Sequence, residues 1–192
     1  MLTAYVRELA QHITLTSELQ TLLENTLTVR SIPKGEHLLK AGEVSRAFYY
    51  NLQGLVRMYY LVEGIEKTTY FYPEGHYISA YDSFVRQTPA AYYFQACEPT
   101  QVVEINQEAA FTLLQQAPEM EALARRAMED ELISHQAMVA ALLTQSPEQR
   151  YQQLQAHQPQ LIQRVPQVIL ASYLGIAPES LSRIKKRLIR KS

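Results

Sequence analysis

The chain carries its most informative stretch near the carboxyl end: Pro166-Gln-Val-Ile-Leu-Ala-Ser-Tyr-Leu-Gly-Ile-Ala-Pro-Glu-Ser-Leu-Ser-Arg-Ile-Lys-Lys-Arg-Leu-Ile-Arg190. Pro166 suits a first helical position because it lacks an amide hydrogen, and Gly175 suits the left-handed position that ends a helix. Pro178 can begin a second helix for the same reason, with Glu179 near the positive end of its dipole. Two short helices joined by a three-residue turn predict a helix-turn-helix.

Apolar residues recur along this stretch where two packed helices would share a seam. These positions are Leu170, Leu174, Ile176, Leu181 and Ile184, with the small Ala171 at the crossing point. The polar and basic positions that remain, together with Gln167 on the first helix, suit base edges and phosphates. The predicted DNA-binding residues are Gln167, Glu179, Ser180, Ser182, Arg183, Lys185, Lys186 and Arg187. An ordinary helical hairpin with a basic tail is the alternative, but spacing, turn residue and charge together favour DNA binding.

The charge of the chain is divided unequally along its length. From Arg164 to the end there are seven Lys or Arg residues and one acid, a net charge of +6, whereas the first 163 residues carry −7. This division predicts a basic end that faces a polyanion, attached to an acidic body. A basic solubilising tail is the alternative, and the helical seam within the basic end argues against it.

Cysteine and motif content excludes several classes of protein. Cys97 is the only cysteine, which excludes an intrachain disulfide, a cysteine-ligated iron–sulfur cluster and a Cys-rich zinc site. The histidines are scattered, and no nucleophile elbow, P-loop, dinucleotide fingerprint or zinc signature occurs, so no enzyme activity, metal or cofactor is predicted. No signal peptide and no apolar run of transmembrane length occurs, which predicts a soluble cytoplasmic protein without membrane contact.

The middle of the chain has the pattern of antiparallel β-structure. Five of the six glycines lie from Gly35 to Gly75, and runs with β propensity separate them. Regular turn glycines between such runs predict a sandwich or roll, with Glu63-Gly64 at a hairpin tip. Strands are predicted over residues 47–52, 55–62, 67–72, 92–97 and 101–105. Ten of the thirteen tyrosines fall in this region, which fits either the β propensity of tyrosine or a ligand pocket lined by a few of them.

Helical patterns flank the β region on both sides. Helices are predicted over residues 1–27, from Asn106 to about 117, from 118 to about 144 and from Ser146 to about 157. The predicted domains are residues 1–117 with the β-roll, residues 118–145 with the long helix, and residues 146–192 with the helix-turn-helix.

The long helix carries two apolar faces. One repeats at intervals of four and three, as in a coiled coil, and is the predicted dimer face: Met128, Leu132, His135, Val139 and Leu142. A second, less regular face contains Met120, Leu123, Ala127 and Met138. A helix with two apolar faces packs its own domain with one and a partner with the other, which predicts a homodimer. We interpret His135 as a packing residue rather than a pH-sensitive contact.

This order of elements resembles the Crp/Fnr family of bacterial transcription regulators along essentially the whole chain. The most specific similarity is in residues 175–184, which resemble the family's recognition segment, and the run Tyr72-Pro-Glu-Gly-His-Tyr-Ile78 resembles the strand and turn that lead into the cyclic-nucleotide pocket. The resemblance implies an α+β fold: an antiparallel double-stranded β-roll, or jelly roll, of the cyclic-nucleotide-binding type, a dimerisation helix and a C-terminal helix-turn-helix. It also implies double-stranded DNA as partner, read by two recognition helices about 34 Å apart, and contact with RNA polymerase.

Within the recognition segment the resemblance can be carried over residue by residue. Glu179 and Arg183 match the family's base-reading acid and arginine, and Ser180 matches a position that touches phosphate or a base. Pro178 stands where the best-known members have another arginine, so the operator should differ. The recognition helix is predicted over about 178–190, and the residues at its end, 189–192, are too few for a full wing. The wing's phosphate contacts are then missing or are replaced by Lys185, Lys186, Arg187, Arg190 and Lys191.

The candidate effector pocket departs further from the family. Its residues are Tyr77, Ser79, Ala80, Tyr81, Ala90, Ala91 and Tyr92. Members that bind cyclic AMP hold the ribose with a Gly-Glu pair and the phosphate with an Arg-Ser pair, but here the matching positions are Ser79-Ala80 and Ala90-Ala91. Because a buried anion needs a cationic or amide-rich partner, cyclic AMP and cyclic GMP are not expected to bind. The roll either takes an unidentified small-molecule effector or is a constitutive dimer scaffold.

Two functions follow from these patterns. The first is a dimeric, sequence-specific transcription regulator. The second is a small-molecule sensor that acts through protein–protein contacts without binding DNA.

Overall fold

The computed structural model describes residues 2–189, and the chain divides into two compact units. The first contains the described residues up to Arg57 together with Phe71–Leu132, and the second contains Met58–Tyr70 together with the residues from Ile133 onward. The second unit therefore combines the outer part of a β-hairpin with the C-terminal helices. Arg190 and Lys191, two of the predicted phosphate contacts, lie outside the described residues.

Two four-stranded sheets form the β-roll. The strands of the described residues are β1 (Thr28–Ile32), β2 (His37–Leu39), β3 (Ala47–Gln53), β4 (Val56–Val62), β5 (Ile65–Tyr72), β6 (Tyr77–Ile78), β7 (Tyr93–Ala96) and β8 (Thr100–Asn106). Their orders are β1-β8-β3-β6 and β2-β7-β4-β5. Antiparallel pairing joins β8 with β1, β8 with β3, β6 with β3, and β7 with β2. The predicted antiparallel β-roll is confirmed.

The five predicted strands correspond to β3, β4, β5, β7 and β8, each within two residues at either end. The hairpin tip is also confirmed, because Glu63 and Gly64 both adopt the left-handed conformation, with φ of 52° and 78°. Two successive residues with positive φ are the requirement of a type I′ hairpin turn. The sequence analysis missed β1, β2 and β6, and it also missed a short helix, α3 (Tyr81–Arg86).

The predicted N-terminal helical region contains two helices, α1 (described as Leu2–Leu9) and α2 (Ser17–Thr26). The break between them ends at Thr16, whose side chain accepts a hydrogen bond from the amide of Leu19 at 3.2 Å. Apolar residues of both helices enter the core of the first unit, where Leu9 and Leu23 pack with Leu113. The predicted helical structure over residues 1–27 is therefore confirmed for the described residues, but as two helices rather than one.

The helices after the roll follow the predicted order. They are α4 (Gln107–Gln116), α5 (Glu119–Thr144), α6 (Pro147–His157), α7 (Pro159–Arg164), α8 (Gln167–Tyr173) and α9 (Pro178–Ile189). Asn106 caps α4 by accepting from the amide of Ala109 at 2.8 Å, and Ser146 and Gln149 form a capping box on α6. α7 was not predicted. It begins at Pro159, which occupies the first turn of the helix, where the missing amide hydrogen leaves no hydrogen bond unmade.

Candidate nucleic-acid interface and effector region

The helix-turn-helix forms at the predicted residues. α8 ends at Tyr173 with Leu174 as its C-cap, and Gly175 has a φ of 68°. The amide of Ile176 donates to the carbonyl of Ala171 at 3.0 Å, which closes the turn before α9 begins. The seam between the two helices is buried, as predicted, at Leu170, Ala171, Leu174, Leu181 and Ile184, and Ile176 is half-buried. The two helices therefore share a compact apolar contact.

The exposed side of α9 presents one stripe of charged side chains, which we call the reading stripe. It consists of Glu179, Arg183 and Lys186, all exposed and separated by four and three residues, so they lie on one face of the helix. Arg183 is held in place because its Nη2 donates to the Oγ of Ser180 at 3.1 Å. The stripe thus combines a carboxylate, an oriented guanidinium and an ammonium group.

Two other predicted DNA contacts, Lys185 and Arg187, also have partners on α6. The Nζ of Lys185 lies 6.0 Å from the ring centre of Tyr151, and the Nη2 of Arg187 pairs with the Oε2 of Glu148. Burial of Leu181 and Ile184 in the domain core turns these positions toward α6. In the free chain Arg187 remains exposed and Lys185 is half-buried, so their contact with DNA stays a prediction, and both also contact α6.

Gln167 and Ser182, also predicted to contact DNA, bind each other. The Nε2 of Gln167 donates to the Oγ of Ser182 at 2.5 Å and to the carbonyl of Pro178 at 3.3 Å. These contacts link the first turn of α8 to α9. The sequence analysis judged each polar residue separately and so did not anticipate that the two would be partners.

Arg150 on α6 is a further polar residue of this domain that the sequence analysis missed. Its Nη1 donates to the carbonyl of Gln145 at 2.6 Å, and its Nη2 donates to the carbonyl of Leu174 at 2.8 Å. Both acceptors are main-chain atoms, which carry no side-chain signal in the sequence. An arginine inside a polar helix therefore gave no indication of this role.

Ser172 on α8 makes a second pair of main-chain contacts. Its Oγ donates to the carbonyl of Glu66 at 2.7 Å and accepts from the amide of Thr68 at 2.9 Å, both on the outer part of β5. The first helix of the pair is therefore fixed to a strand of the hairpin within the second unit.

Four of the five residues predicted for the dimer face are exposed on α5. Met128, Leu132, Val139 and Leu142 are 42, 59, 50 and 47% exposed. Met120 on the second predicted face is buried in the core of the first unit, and Leu123 packs against that core. His135 differs from the other four because it is half-buried and its ring stacks on that of Tyr70 at 4.8 Å. This stacking agrees with its interpretation as a packing residue.

The effector region, residues 77–81 and 90–92, contains the seven predicted pocket residues. Ala80 and Ala90 are buried in the core, whereas Tyr81 and Ala91 are exposed. The hydroxyl of Tyr92 donates to Asp82 Oδ1 at 2.5 Å. The residues therefore have different surroundings, and their side chains are satisfied largely by the protein itself. Ser79 is the exception, because its Oγ is buried without a hydrogen-bond partner.

Tyr77 of the effector region belongs to a cluster of three tyrosines. Its hydroxyl oxygen lies 3.0 Å from that of Tyr5, and the ring of Tyr50 lies 4.8 Å from the ring of Tyr5 and 5.0 Å from that of Tyr77. Burial raises the pKa of Tyr50 to about 12, with the charge of Glu8 as the next cause, and burial also raises the pKa values of Tyr5 and Tyr77. The neutral phenols are therefore structural members of the core of the first unit.

Other kinds of site receive no support from the part of the chain that the structure describes. Across residues 2–189, no group of three or more His, Cys, Asp or Glu side chains is arranged to hold a metal ion. Within the same residues, no helix combines the length and apolar character needed to span a bilayer.

Comparison with known proteins finds a domain family and a curated relative. Residues 29–117 match the family model of the cyclic nucleotide-binding domain. The fumarate and nitrate reduction regulatory protein of Vibrio cholerae is 30% identical over 136 residues, which cover 70% of this chain and 53% of that protein. The chain thus spans about half the length of this curated relative.

Solved structures agree in fold over most of the chain. FixK2 from Bradyrhizobium japonicum has a TM-score of 0.74 at 16% identity and covers 86% of this chain and 85% of its own. The c-di-GMP-responsive global regulator CLP of Xanthomonas campestris has a TM-score of 0.73 at 16% identity, with 92% and 93% covered. The domain match, the curated relative and the shared fold agree with the order of elements described above, and together they support the similarity of this chain to regulators of the Crp/Fnr family.

Proposed function

We propose that this protein is a sequence-specific DNA-binding transcription regulator that acts as a homodimer. The observation that carries the proposal is the reading stripe: Glu179, Arg183 and Lys186 stand exposed on one face of α9, while the contacts of Gln167 and Arg187 hold that helix in its domain. The curated relative is named as a regulatory protein, and the proposal of a regulator rather than an enzyme agrees with it.

Each member of the reading stripe has a chemical counterpart on DNA. An arginine can donate both arms of its guanidinium to the O6 and N7 of guanine, and a glutamate can accept from the N4 of cytosine. The hydrogen bond from Arg183 to Ser180 orients the guanidinium before binding, which lowers the entropy cost of contact. Lys186 suits a phosphate, since ammonium groups bind phosphates without reading sequence.

A second copy of the chain is the proposed partner of the exposed face of α5. Met128, Leu132, Val139 and Leu142 recur at coiled-coil intervals and leave apolar surface in water. Burying one such side chain contributes about 1.5–3 kcal/mol, so a paired helix has a clear driving force. The two-fold symmetry of a dimer would present two copies of α9 to two half-sites about 34 Å apart.

The proposed role of the roll is less specific. Ser79-Ala80 and Ala90-Ala91 lack the charged and ribose-directed groups of cyclic AMP sites, and Ala80 and Ala90 are buried. We therefore propose that any effector is a small molecule other than cyclic AMP or cyclic GMP. A regulator of this kind would work in the cytoplasm, on double-stranded DNA, and in contact with RNA polymerase.

The test is selection of bound duplexes from random DNA, followed by affinity measurements at several salt concentrations. We expect a near-palindromic motif. Arg183→Ala should relax the preference at one base position by about 1–3 kcal/mol. Lys186→Ala should weaken binding to all sequences alike and reduce the salt slope by about 0.9. Lys34→Ala, an exposed lysine before β2, is the matched control and should change neither.

Failure to enrich any motif, or an unchanged base preference in Arg183→Ala, would overturn the proposal. Salt-insensitive behaviour together with no DNA binding would favour the second function, a sensor that acts through protein contacts.

A further inference from the structure

Arg150 joins the end of the long helix to the turn of the helix-turn-helix. Its two terminal nitrogens donate to the carbonyls of Gln145, directly after the end of α5, and of Leu174, at the end of α8. The last carbonyls of a helix have no partner within that helix and carry the negative end of its dipole. One cation therefore satisfies the carboxyl ends of two different helices.

The two contacts of Arg150 match the shape of an arginine side chain. A guanidinium donates from two nitrogens in a rigid plane, whereas a lysine ammonium is a single point charge at the end of a flexible stem. The guanidinium also packs against the turn, because a Cβ added at Gly175 would lie 3.8 Å from Arg150 Nη2. The Nε of Arg150 and the Oε1 of Gln145 are both buried without hydrogen bonds, so the two main-chain contacts determine the position of the side chain.

The helix that carries Arg150 also supports the recognition helix. On α6, Glu148 pairs with Arg187 and the ring of Tyr151 lies under Lys185, and both partners belong to α9. α6 therefore contacts three parts of the structure, namely the end of α5, the turn between α8 and α9, and the side of α9. Among the three α6 residues named above, Arg150 is the one whose side chain contacts both the end of α5 and the turn.

We propose that Arg150 is a positioning residue that fixes the reading stripe relative to the end of the dimer helix, and so restricts the spacing between the two DNA half-sites. The proposal rests on the proposed function, since a spacing has meaning only for a dimer on two half-sites. Adding one base pair between half-sites moves them apart by about 3.4 Å and rotates them by about 35°. A rigid connection resists this change, whereas a loose connection accommodates it.

The test uses duplexes that carry two copies of the half-site selected from random DNA, with the spacer as selected or changed by one base pair. Arg150→Met keeps most of the side-chain length but removes both hydrogen bonds, and Arg150→Lys keeps the charge but loses the fork. The control is Arg125→Met on α5, which removes the same charge from a side chain that is 65% exposed and paired only along its own helix.

For the original protein and Arg125→Met, we expect a one-base-pair change in spacer to weaken binding by about tenfold or more, comparable with a mismatched base pair. For Arg150→Met the loss should shrink to about threefold or less, with Arg150→Lys between the two. Base preference within the half-site should remain in all four proteins. Equal spacer selectivity in Arg150→Met and the original protein would overturn the proposal.

Hydrogen exchange without DNA provides an independent measurement. Arg150→Met should accelerate exchange in two separate segments together, residues 144–147 and residues 173–177, and Arg125→Met should accelerate neither. Unchanged exchange in Arg150→Met would also overturn the proposal. Coupled exchange in a protein that selects no DNA motif would instead support the connection made by Arg150 and contradict the proposed function, so the two failures are distinguishable.

Discussion

The helix-turn-helix and the effector region use their polar positions in opposite ways. On α9 the charged groups of Glu179, Arg183 and Lys186 stand in solvent, available to a partner. In the effector region Ala80 and Ala90 fill positions of the core, and the hydroxyl of Tyr92 is bound to Asp82. The chain thus exposes charged groups on α9 and uses most of the effector region for packing. The difference teaches that two regions of one chain can depart from a shared fold to different degrees, and that a shared fold by itself does not determine a ligand.

The largest effect is expected from separating the two copies of the reading stripe. Leu132→Glu places a charge on the exposed face of α5 and should produce a monomer, whose affinity for the full operator falls by about 10²-fold or more because the two half-sites are no longer bound together. Light scattering and titration with DNA measure the two effects. Leu114→Glu is the matched control, because Leu114 on α4 is 45% exposed and lies outside the predicted face. A Leu132→Glu protein that remained dimeric would contradict the proposal that the exposed face of α5 forms the dimer contact.

The roll, as the packed region, should respond most to changes in volume. Gly54 has a φ of 95°, and a Cβ there would lie 2.7 Å from the carbonyl oxygen of Pro99. Gly42 has a similar φ of 90° but no atom near its missing Cβ. Both alanine variants share the cost of a left-handed conformation, so Gly54→Ala should lower the free energy of unfolding by about 1–3 kcal/mol more than Gly42→Ala. Denaturant titration would reveal equal losses if the close contact were unimportant.

The tyrosine cluster predicts a smaller effect, confined to alkaline pH. Burial raises the pKa of Tyr50 to about 12 in the folded chain. Below pH 10 the phenol is neutral in both the folded and the unfolded chain, so the free energy of unfolding is unaffected. As the pH rises from 10 toward about 12, only the unfolded chain loses the proton, and the free energy of unfolding falls. Tyr50→Phe should therefore make unfolding stability fall less steeply between these pH values. Tyr81→Phe, which removes an exposed hydroxyl outside the cluster, should leave the slope unchanged. A steeper slope in Tyr50→Phe would exclude this explanation.

The smallest expected effect is an absence of response to cyclic AMP. A ligand that binds the folded state raises its stability by RT ln(1 + [L]/Kd), so a millimolar excess over a tight site is visible as a shift in melting temperature. Without a cation or a ribose-binding carboxylate at Ser79-Ala80 and Ala90-Ala91, we expect no shift from cyclic AMP or cyclic GMP. A shift with saturation would show that the effector region binds nucleotide through other residues.

Much of the fold was predictable because local signals and tertiary packing agreed. Gly175 and Pro178 marked the turn before α9, and Asn106 and Ser146 marked the starts of α4 and α6. β2 and β6 were missed because three and two residues are too few to show an alternating pattern. Local spacing was thus sufficient wherever an element had both a cap and several turns.

The site was less predictable, for a physical reason. The sequence shows which residues are charged. It does not show whether a charged side chain on a short helix lies in solvent or contacts a neighbouring helix. Lys185 and Arg187 were predicted to contact DNA, and nothing in the sequence indicated that Tyr151 and Glu148 of α6 would also be their partners. The partners of Arg150 are carbonyl groups, which every residue has. Such contacts depend on how helices meet, and no spacing rule within one helix reports them.

The contacts of Ser172 have a consequence for the behaviour of the protein in concentrated solution. β5 lies at the end of its sheet, and a strand in that place offers unpaired main-chain groups to any other strand. By binding the carbonyl of Glu66 and the amide of Thr68, Ser172 occupies two groups that an intruding chain would need. We therefore expect this one hydroxyl to hinder the pairing of another strand with the outer part of β5.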